Sequence, residues 1–296
     1  MSIASAEISS QPECWAAAAE LSRDVSGLLP APGETVAVIG CGTSYNMALC
    51  YAWSREAKGL GVTDAMTASE PRLGRHYDRY VFISRSGTTS EVIEAAGKVP
   101  PGCRSVALTA SPTSPLGRVV DCVDLSFAAE QSVVQTRFAT SVVVLLRSHL
   151  GEDTAGLPSE ARRALEMPLP EGSLEASQFT FLGSYWTVGL AHEAALKLRE
   201  AAQTWTESYP AGEVRHGPIS ILGPSSIVWS FGMPPTGLAA DIGVTGARFV
   251  VSPLDPLAEL VRAQRLAVQL AEAKGLDPDH PRNLSFSVIL AAAGQG

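Results

Sequence analysis

Short apolar runs rich in β-branched residues recur along this chain, each followed by a small-residue loop and a stretch with helical spacing. Thr35-Val-Ala-Val-Ile39 has the length and composition of a buried parallel strand. It runs into Gly40-Cys-Gly-Thr-Ser44, and a helix follows to about Lys58, closed by Gly59 and Gly61. Val62–Met66, Tyr80–Ile83, Ser105–Thr109 and Val119–Leu125 are further strands. Tyr80–Ile83 leads through Ser84-Arg-Ser-Gly-Thr-Thr89 into a helix ending near Lys98. A helical lead-in over 13–29, apolar at Trp15, Ala18, Leu21 and Val25, precedes all of this, and a helix over 136–149 closes it at Gly151.

Residues 151–173 mix Gly, Pro and charge, as a connector with a short helix does. The pattern then restarts: strand Gln178–Leu182, small turn Gly183-Ser184, helix 185–202, strands Ile227–Phe231 and Ala247–Val251, and an amphipathic helix Pro256–Lys274. Repeated strand–loop–helix units predict an α/β fold of two parallel-sheet layers, one fold used twice. The boundaries expected are 13–151 and 174–296, with the second unit shortened, because Phe231–Val244 is too short and Gly/Pro-rich for a full strand–helix unit. The tryptophans at 15, 53, 186, 205 and 229 are expected in the core.

Composition narrows the function. The chain has 296 residues, 46% hydrophobic and 18% charged, with a formal net charge of −8. That size buries a substantial core. The acidic balance argues against nucleic acid, which selects a basic footprint. An anionic substrate must then be held locally, by backbone amides, hydroxyls and a few cations. No apolar run has the length of a membrane span, and Met1–Pro12 lacks a basic-then-apolar signal pattern. A cytoplasmic location with no membrane partner is therefore expected. The five cysteines are scattered without C-x-x-C spacing, as reduced thiols are. No His/Asp/Glu cluster has metal-ligand spacing, so no metal and no cofactor are predicted.

In an open α/β sheet, ligands sit beyond the carboxyl ends of the strands, where both hydroxyl-rich loops fall. Gly40 and Gly42 allow close approach of backbone N–H groups, while Thr43 and Ser44 add hydroxyls at a helix N-terminus. Ser84, Ser86, Gly87, Thr88 and Thr89 repeat the device, with Arg85 as a local cation. Either loop alone is an ordinary Ser/Thr cap. Two of them on successive strands favour a shared monophosphate. A dinucleotide would want a third glycine where Tyr45 stands, with Asp64 at ribose distance, and no Walker A lysine is present.

Downstream, Glu193, Lys197 and Glu200 project from one helix face at i, i+4 and i+7. A solvated Glu–Lys pair is the usual outcome of that spacing. With His216 shortly after it, the same array is suited to moving protons on a bound sugar.

These segments, with Ser132-Val-Val-Gln-Thr136, Glu207–Pro218 and Asp277–Leu284, make the sequence resemble tandem sugar-isomerase (SIS) proteins. The likeness is to the isomerase half of glucosamine-6-phosphate synthase and to stand-alone amino-sugar-phosphate isomerases and deaminases. The resemblance implies two SIS modules, each a flavodoxin-like three-layer sandwich. It implies that Thr43, Ser44, Ser84, Ser86 and Thr89 hold a sugar 6-phosphate, with Gly42 and Gln135 on the substrate. It gives Glu200 the base between C1 and C2, flanked by Glu193 and Lys197. His216, in the His-Gly-Pro motif, would assist ring opening across a homodimer interface. The sequence departs from the synthase at three points: Phe286 stands where a lysine reaches the open-chain sugar, Arg85 replaces a glutamine and Gln135 a serine. No glutaminase domain precedes the matching region, so amination from glutamine is not expected. C2 proton abstraction followed by isomerisation or deamination is the expected chemistry. Dehydration of an N-acetylated sugar phosphate and non-catalytic sensing stay open as alternatives.

Overall fold

A computed structural model describes residues 2–290. The lead-in is two helices, α1 (Ile3–Ser9) and α2 (Gln11–Asp24), with Pro12 in the first turn of α2 where its missing N–H costs nothing. Nothing in the polar N-terminal sequence announces α1. Its first amides are capped from the other end of the chain, where the Asp279 carboxylate accepts from Ile3 N at 2.8 Å and Ala4 N at 2.7 Å.

Then come β1 (Val36–Gly40), α3 (Thr43–Ala57), β2 (Thr63–Thr67), β3 (Arg79–Ile83), α4 (Ser90–Gly97), β4 (Arg104–Thr109), β5 (Asp121–Asp124) and α5 (Arg137–His149). The strands form one parallel sheet in the order β2-β1-β3-β4-β5, with Val38 opposite Val81 and Val81 opposite Val106. β1 and β3 are buried along their whole length, which is why each reads as an unbroken apolar run.

After α6 (Leu157–Glu166) a second set follows: β6 (Gln178–Gly183), α7 (Thr187–Ala202), β7 (Thr206–Pro210), β8 (Ser226–Phe231), α8 (Leu238–Val244), β9 (Arg248–Val250) and α9 (Pro256–Ala273). Its parallel sheet has the order β7-β6-β8-β9, the first sheet's order one strand short. Two helix-flanked parallel sheets are the α/β architecture expected from the pattern. β7 falls in a stretch not read as a strand: Thr-Glu-Ser-Tyr-Pro is polar, suits an edge position, and ends in a proline that an edge tolerates. The short run after Phe231 holds only the seven-residue α8, in keeping with a shortened second unit.

The inner faces of both sheets, including Val38, Val81, Val106, Phe179, Phe181 and Trp229, share one core with α3, α5, α7 and α9. Smaller clusters cover the outer faces, Ile39 and Phe82 with Val92 on one, Leu182 and Val228 with Ile242 on the other. Two tryptophans expected in the core are not there. Trp205 is 80% exposed and Trp53 46%, its ring meeting Tyr185 edge-on at 5.0 Å. Trp53 lies on the outward flank of α3, where its helical neighbours pack inward but it does not.

Candidate active site

α7 reaches α3 because Gly189 lies between them. A Cβ there would stand 2.4 Å from Asn46 O and 2.5 Å from Cys50 Sγ, so a larger residue would separate the helices. The close approach sets the polar face of α7 against the N-terminus of α3. Thr43 Oγ1 donates to Glu193 Oε1 (3.0 Å), and Asn46 Nδ2 donates to Glu193 Oε2 (2.9 Å). Lys197 Nζ donates to Thr43 Oγ1 at 2.9 Å and lies 3.2 Å from Glu193 Oε1. Glu193 and Lys197 are buried, and both carboxylate oxygens of Glu193 are satisfied.

Glu200 completes the array from the next turn. Its Oε2 is in ion contact with Lys197 Nζ at 2.6 Å, off the hydrogen-bond line. Unlike its neighbours it keeps an opening, with one-fifth of the side chain exposed. Two carboxylates surround one ammonium, so the cluster carries a spare negative charge. Burial raises the Glu200 pKa above the usual glutamate value; Lys197 opposes this and Glu193 adds to it. Burial alone would push Lys197 toward neutrality, but Glu193 and Glu200 outweigh it and hold its pKa above the usual value. The result is a fixed ammonium beside a carboxylate that accepts a proton more readily than a free glutamate.

The second hydroxyl loop lies between β3 and α4. Ser84 Oγ accepts from Gly87 N at 3.2 Å, closing a turn that requires glycine: Gly87 has φ +62°, and a Cβ would meet Ser114 Oγ at 1.9 Å. Ser86 Oγ accepts from Thr88 N at 3.2 Å, leaving Ser86, Thr88 and Thr89 half-buried at the start of α4. The Arg85 guanidinium is a minor favourable charge on Glu200, behind burial, Lys197 and Glu193.

The expected residues are therefore only partly gathered. Glu193, Lys197 and Thr43 form one hydrogen-bonded unit, in which Thr43 braces the acid–lysine pair and its hydroxyl is already engaged, and Glu200 joins it through its ion contact with Lys197. Ser44 is buried behind it, and Gly42 caps α3. Ser84, Ser86 and Thr89 share the other loop. Arg85 is engaged within the protein: it sits 3.3 Å from Glu130 Oε2 and donates to Ser132 O (2.9 Å), Val133 O (3.3 Å) and Phe286 O (2.8 Å). Gln135 is half-buried, its Oε1 without a partner. His216 stands exposed on the 3₁₀ turn Glu213–His216, outside the α7 hydrogen-bond network. Asp64 is taken by Tyr77 OH (2.6 Å) and Arg75 (2.5 Å), which removes it as a ribose ligand.

Three participants went unread in the sequence. Asn46 was hidden because its role depends on α3 meeting α7. Glu130 anchors Arg85 and also accepts from Thr136 N (2.6 Å) and Thr136 Oγ1 (3.0 Å) at the start of α5. Its place just before the Ser132–Thr136 segment was the available signal. Ser287 follows Phe286 in the C-terminal segment and meets the second hydroxyl loop.

Two helix-flanked parallel sheets with the same strand order are the fold of the sugar-isomerase (SIS) proteins. No protein-family model matches the chain. Glutamine–fructose-6-phosphate aminotransferase (isomerizing) from Pyrobaculum aerophilum is 30% identical over 96% of this chain and 57% of its own length. The enzyme of the same name from Thermosynechococcus vestitus is 28% identical over 87% of the chain and 52% of its own length. The chain thus spans about half the length of the curated relatives it matches. Among solved structures, glucosamine-6-phosphate deaminase from Thermotoga maritima aligns with a TM-score of 0.80 at 24% identity, covering 98% of this chain and all of that one. By sequence the chain is a homologue of part of the glutamine–fructose-6-phosphate aminotransferases, and by fold it stands with the SIS phosphosugar isomerases and deaminases.

Proposed function

We propose that the chain is an enzyme that takes an amino-sugar 6-phosphate and removes the proton at C2. The observation that carries this is the Glu200 carboxylate: partly open, raised in pKa by burial, and held by a buried lysine beside a hydroxyl loop. Glu200 accepts the C2 proton of the open-chain sugar. The electron pair moves onto the C1 oxygen, giving an enolaminate whose negative oxygen is favoured by a nearby cation. Returning the proton to C1 gives the ketimine at C2, which water hydrolyses to the ketose with release of ammonia. Lys197 and Glu193 fix the position of Glu200, the 84–89 loop receives the phosphate, and His216 is contributed by the other subunit of a homodimer to open the ring. The glucosamine-6-phosphate type of substrate is supported by the name of the Thermotoga maritima neighbour, and the N-acetylated form is kept as its variant. Domains 13–151, for phosphate, and 174–296, for the acid–base groups, are part of the same proposal.

One observation favours a second outcome. Phe286, where the resemblance places a lysine, lays its ring on Arg85 and supplies no amine to the open-chain sugar. Without it, loss of the C3 hydroxyl as water from an N-acetylated substrate competes with isomerisation, and binding without turnover is the limiting case.

Incubation in D₂O with glucosamine-6-phosphate and with its N-acetyl form, followed by NMR, separates these outcomes. Deuterium at C2 or C1 with ketose or ammonia supports isomerisation and deamination. Loss of the C3 carbinol signal identifies elimination. Binding of either sugar phosphate without exchange, in dimeric protein, discards the enzymatic reading.

A further inference from the structure

Two of the three positions at which the chain departs from the synthase pattern, 85 and 286, touch each other. The Arg85 guanidinium carbon lies 3.8 Å from the centre of the Phe286 ring, and Arg85 Nη2 donates to Phe286 O at 2.8 Å. Glu130 and two carbonyls of the 132–133 segment hold Arg85 from behind. It is thus a buried post on which an otherwise exposed segment is hung. Val288, Ile289 and Leu290 beyond it are 50%, 72% and 56% exposed, so apolar burial contributes little to keeping the segment in place.

What the post delivers is Ser287. Its Oγ lies 3.2 Å from Ser86 Oγ, 2.9 Å from Thr88 Oγ1 and 3.4 Å from Thr89 Oγ1. One residue on, the Val288 carbonyl accepts from Ser90 N at 3.1 Å, at the first turn of α4, and Leu290 N donates to Ser90 Oγ at 2.9 Å. A phosphate oxygen takes hydroxyl donors at about 2.5–2.7 Å and amide donors from a helix N-terminus. Hydroxyls surrounding a phosphate therefore face the anion and not one another. Here they close on a serine, and an amide of α4 is spent on a carbonyl.

We propose that residues 285–290 form an internal strap, clipped by Phe286 to Arg85, in which Ser287 Oγ and the Val288 carbonyl fill the phosphate cup and must be displaced by substrate. The proposal rests on the assignment of 84–90 as that cup. The strap is neutral where a sugar phosphate is a dianion, so the substrate competes effectively, but its apparent affinity is reduced by the fraction of molecules with the strap closed. Arg85 acts as a positioning residue for the strap and not as a phosphate ligand.

The test measures the affinity of the full chain for inorganic phosphate and for glucosamine-6-phosphate in wild type, Phe286→Ala and Ser287→Ala. Both side chains are in the exposed segment, outside the core. Removing the ring from a guanidinium is expected to tighten phosphate binding about threefold to tenfold, and Ser287→Ala in the same direction. Amide hydrogen exchange supplies a second readout: Leu290 exchanges faster when phosphate is bound. Weaker binding in Ser287→Ala would make that hydroxyl a ligand and overturn the strap, as would unchanged affinities or slower exchange at Leu290. If wild type and both variants bind neither probe, the cup assignment fails and the strap with it. Binding that is present but insensitive to both substitutions removes the strap alone.

Discussion

Two helices of this molecule carry Glu and Lys at the same i,i+4 spacing and put them to opposite uses. On α4, Glu94 and Lys98 meet at 2.6 Å with 65% and 56% of their side chains in solvent. On α7, Glu193 and Lys197 stand 3.2 Å apart with 0% and 1% exposed. The spacing is indifferent; the docking partner decides. α4 lays its apolar side on the outer face of the first sheet and leaves the pair outside. α7 is drawn onto α3 at Gly189, and the pair is enclosed with Thr43 and Asn46. Enclosure alone does not make chemistry. On α9, Glu259 Oε1 accepts from Arg262 Nη1 and Trp229 Nε1, each at 2.7 Å, in a pair almost without solvent contact. One acid meets one base there. α7 has a second acid, Glu200, which remains reachable.

The largest expected effect separates the two enclosed sites. Glu200→Gln is expected to lower turnover by about 10²–10⁴-fold, the range of a lost general base, with little change in the thermal midpoint. Glu259→Gln leaves Arg262 uncompensated and is expected to cost about 3–5 kcal/mol of stability with turnover of the folded enzyme kept. Kinetics and urea unfolding on both variants check this, and a reversal of the two phenotypes would break the distinction.

Lys197→Met tests the same enclosure from the side of the cation. It leaves Glu193 and Glu200 facing each other in a buried setting, at a cost of about 3–5 kcal/mol near neutrality. Protonation of the carboxylates relieves the repulsion, so the deficit shrinks as pH falls. Unfolding curves across pH read this directly, and a deficit independent of pH would place the cost in packing.

Acid titration distinguishes two of the raised carboxylates, Glu200 and Glu259. Burial is the main cause for both Glu200 and Glu259, and Lys197 and Arg262 respectively oppose it. Between the ordinary glutamate value and the raised one, the unfolded chain has released a proton that the folded chain keeps. Their contribution to stability therefore falls as pH rises through that window, by at most about 1.4 kcal/mol per pH unit for each group. With Glu200 as the proposed base, turnover is expected to move the other way, rising as Glu200 deprotonates. In Glu259→Gln the stability slope lessens while the acid limb of kcat/KM stays put.

How much of this was legible follows from how far each contact reaches along the chain. The helix carrying Glu193, Lys197 and Glu200, the strand ends and the hydroxyl loops are local patterns, and the sequence displays them. The buried character of the array is not local, because it requires α3 and α7, 147 positions apart at Asn46 and Glu193, to meet. Arg85 reads as a phosphate cation because positive charge in a Ser/Thr loop invites that role. Its partners lie 45 and 201 positions away, beyond any periodicity. α1 is missed for the same reason, since its cap is Asp279. Even β7, an edge strand of polar residues, is defined by β6 beside it and not by its own composition.

The smallest expected effect belongs to the exposed pair. Lys98→Ala removes an ion pair in which both side chains are largely hydrated, so nearly all of the lost attraction is returned by water. Pairs of this kind contribute about 0.3–0.5 kcal/mol, and less in high salt. The change in the urea midpoint should therefore be barely resolved at low ionic strength and vanish in molar salt, while the Lys197→Met deficit persists. That contrast in salt response is more discriminating than size, because a buried pair is shielded from counter-ions by the protein around it. A Lys98→Ala effect matching that of Lys197→Met, or an equal loss of both in salt, would mean that the docking of α7 on α3 does not exclude solvent. The spare charge of Glu200 would then have no buried setting to raise its pKa.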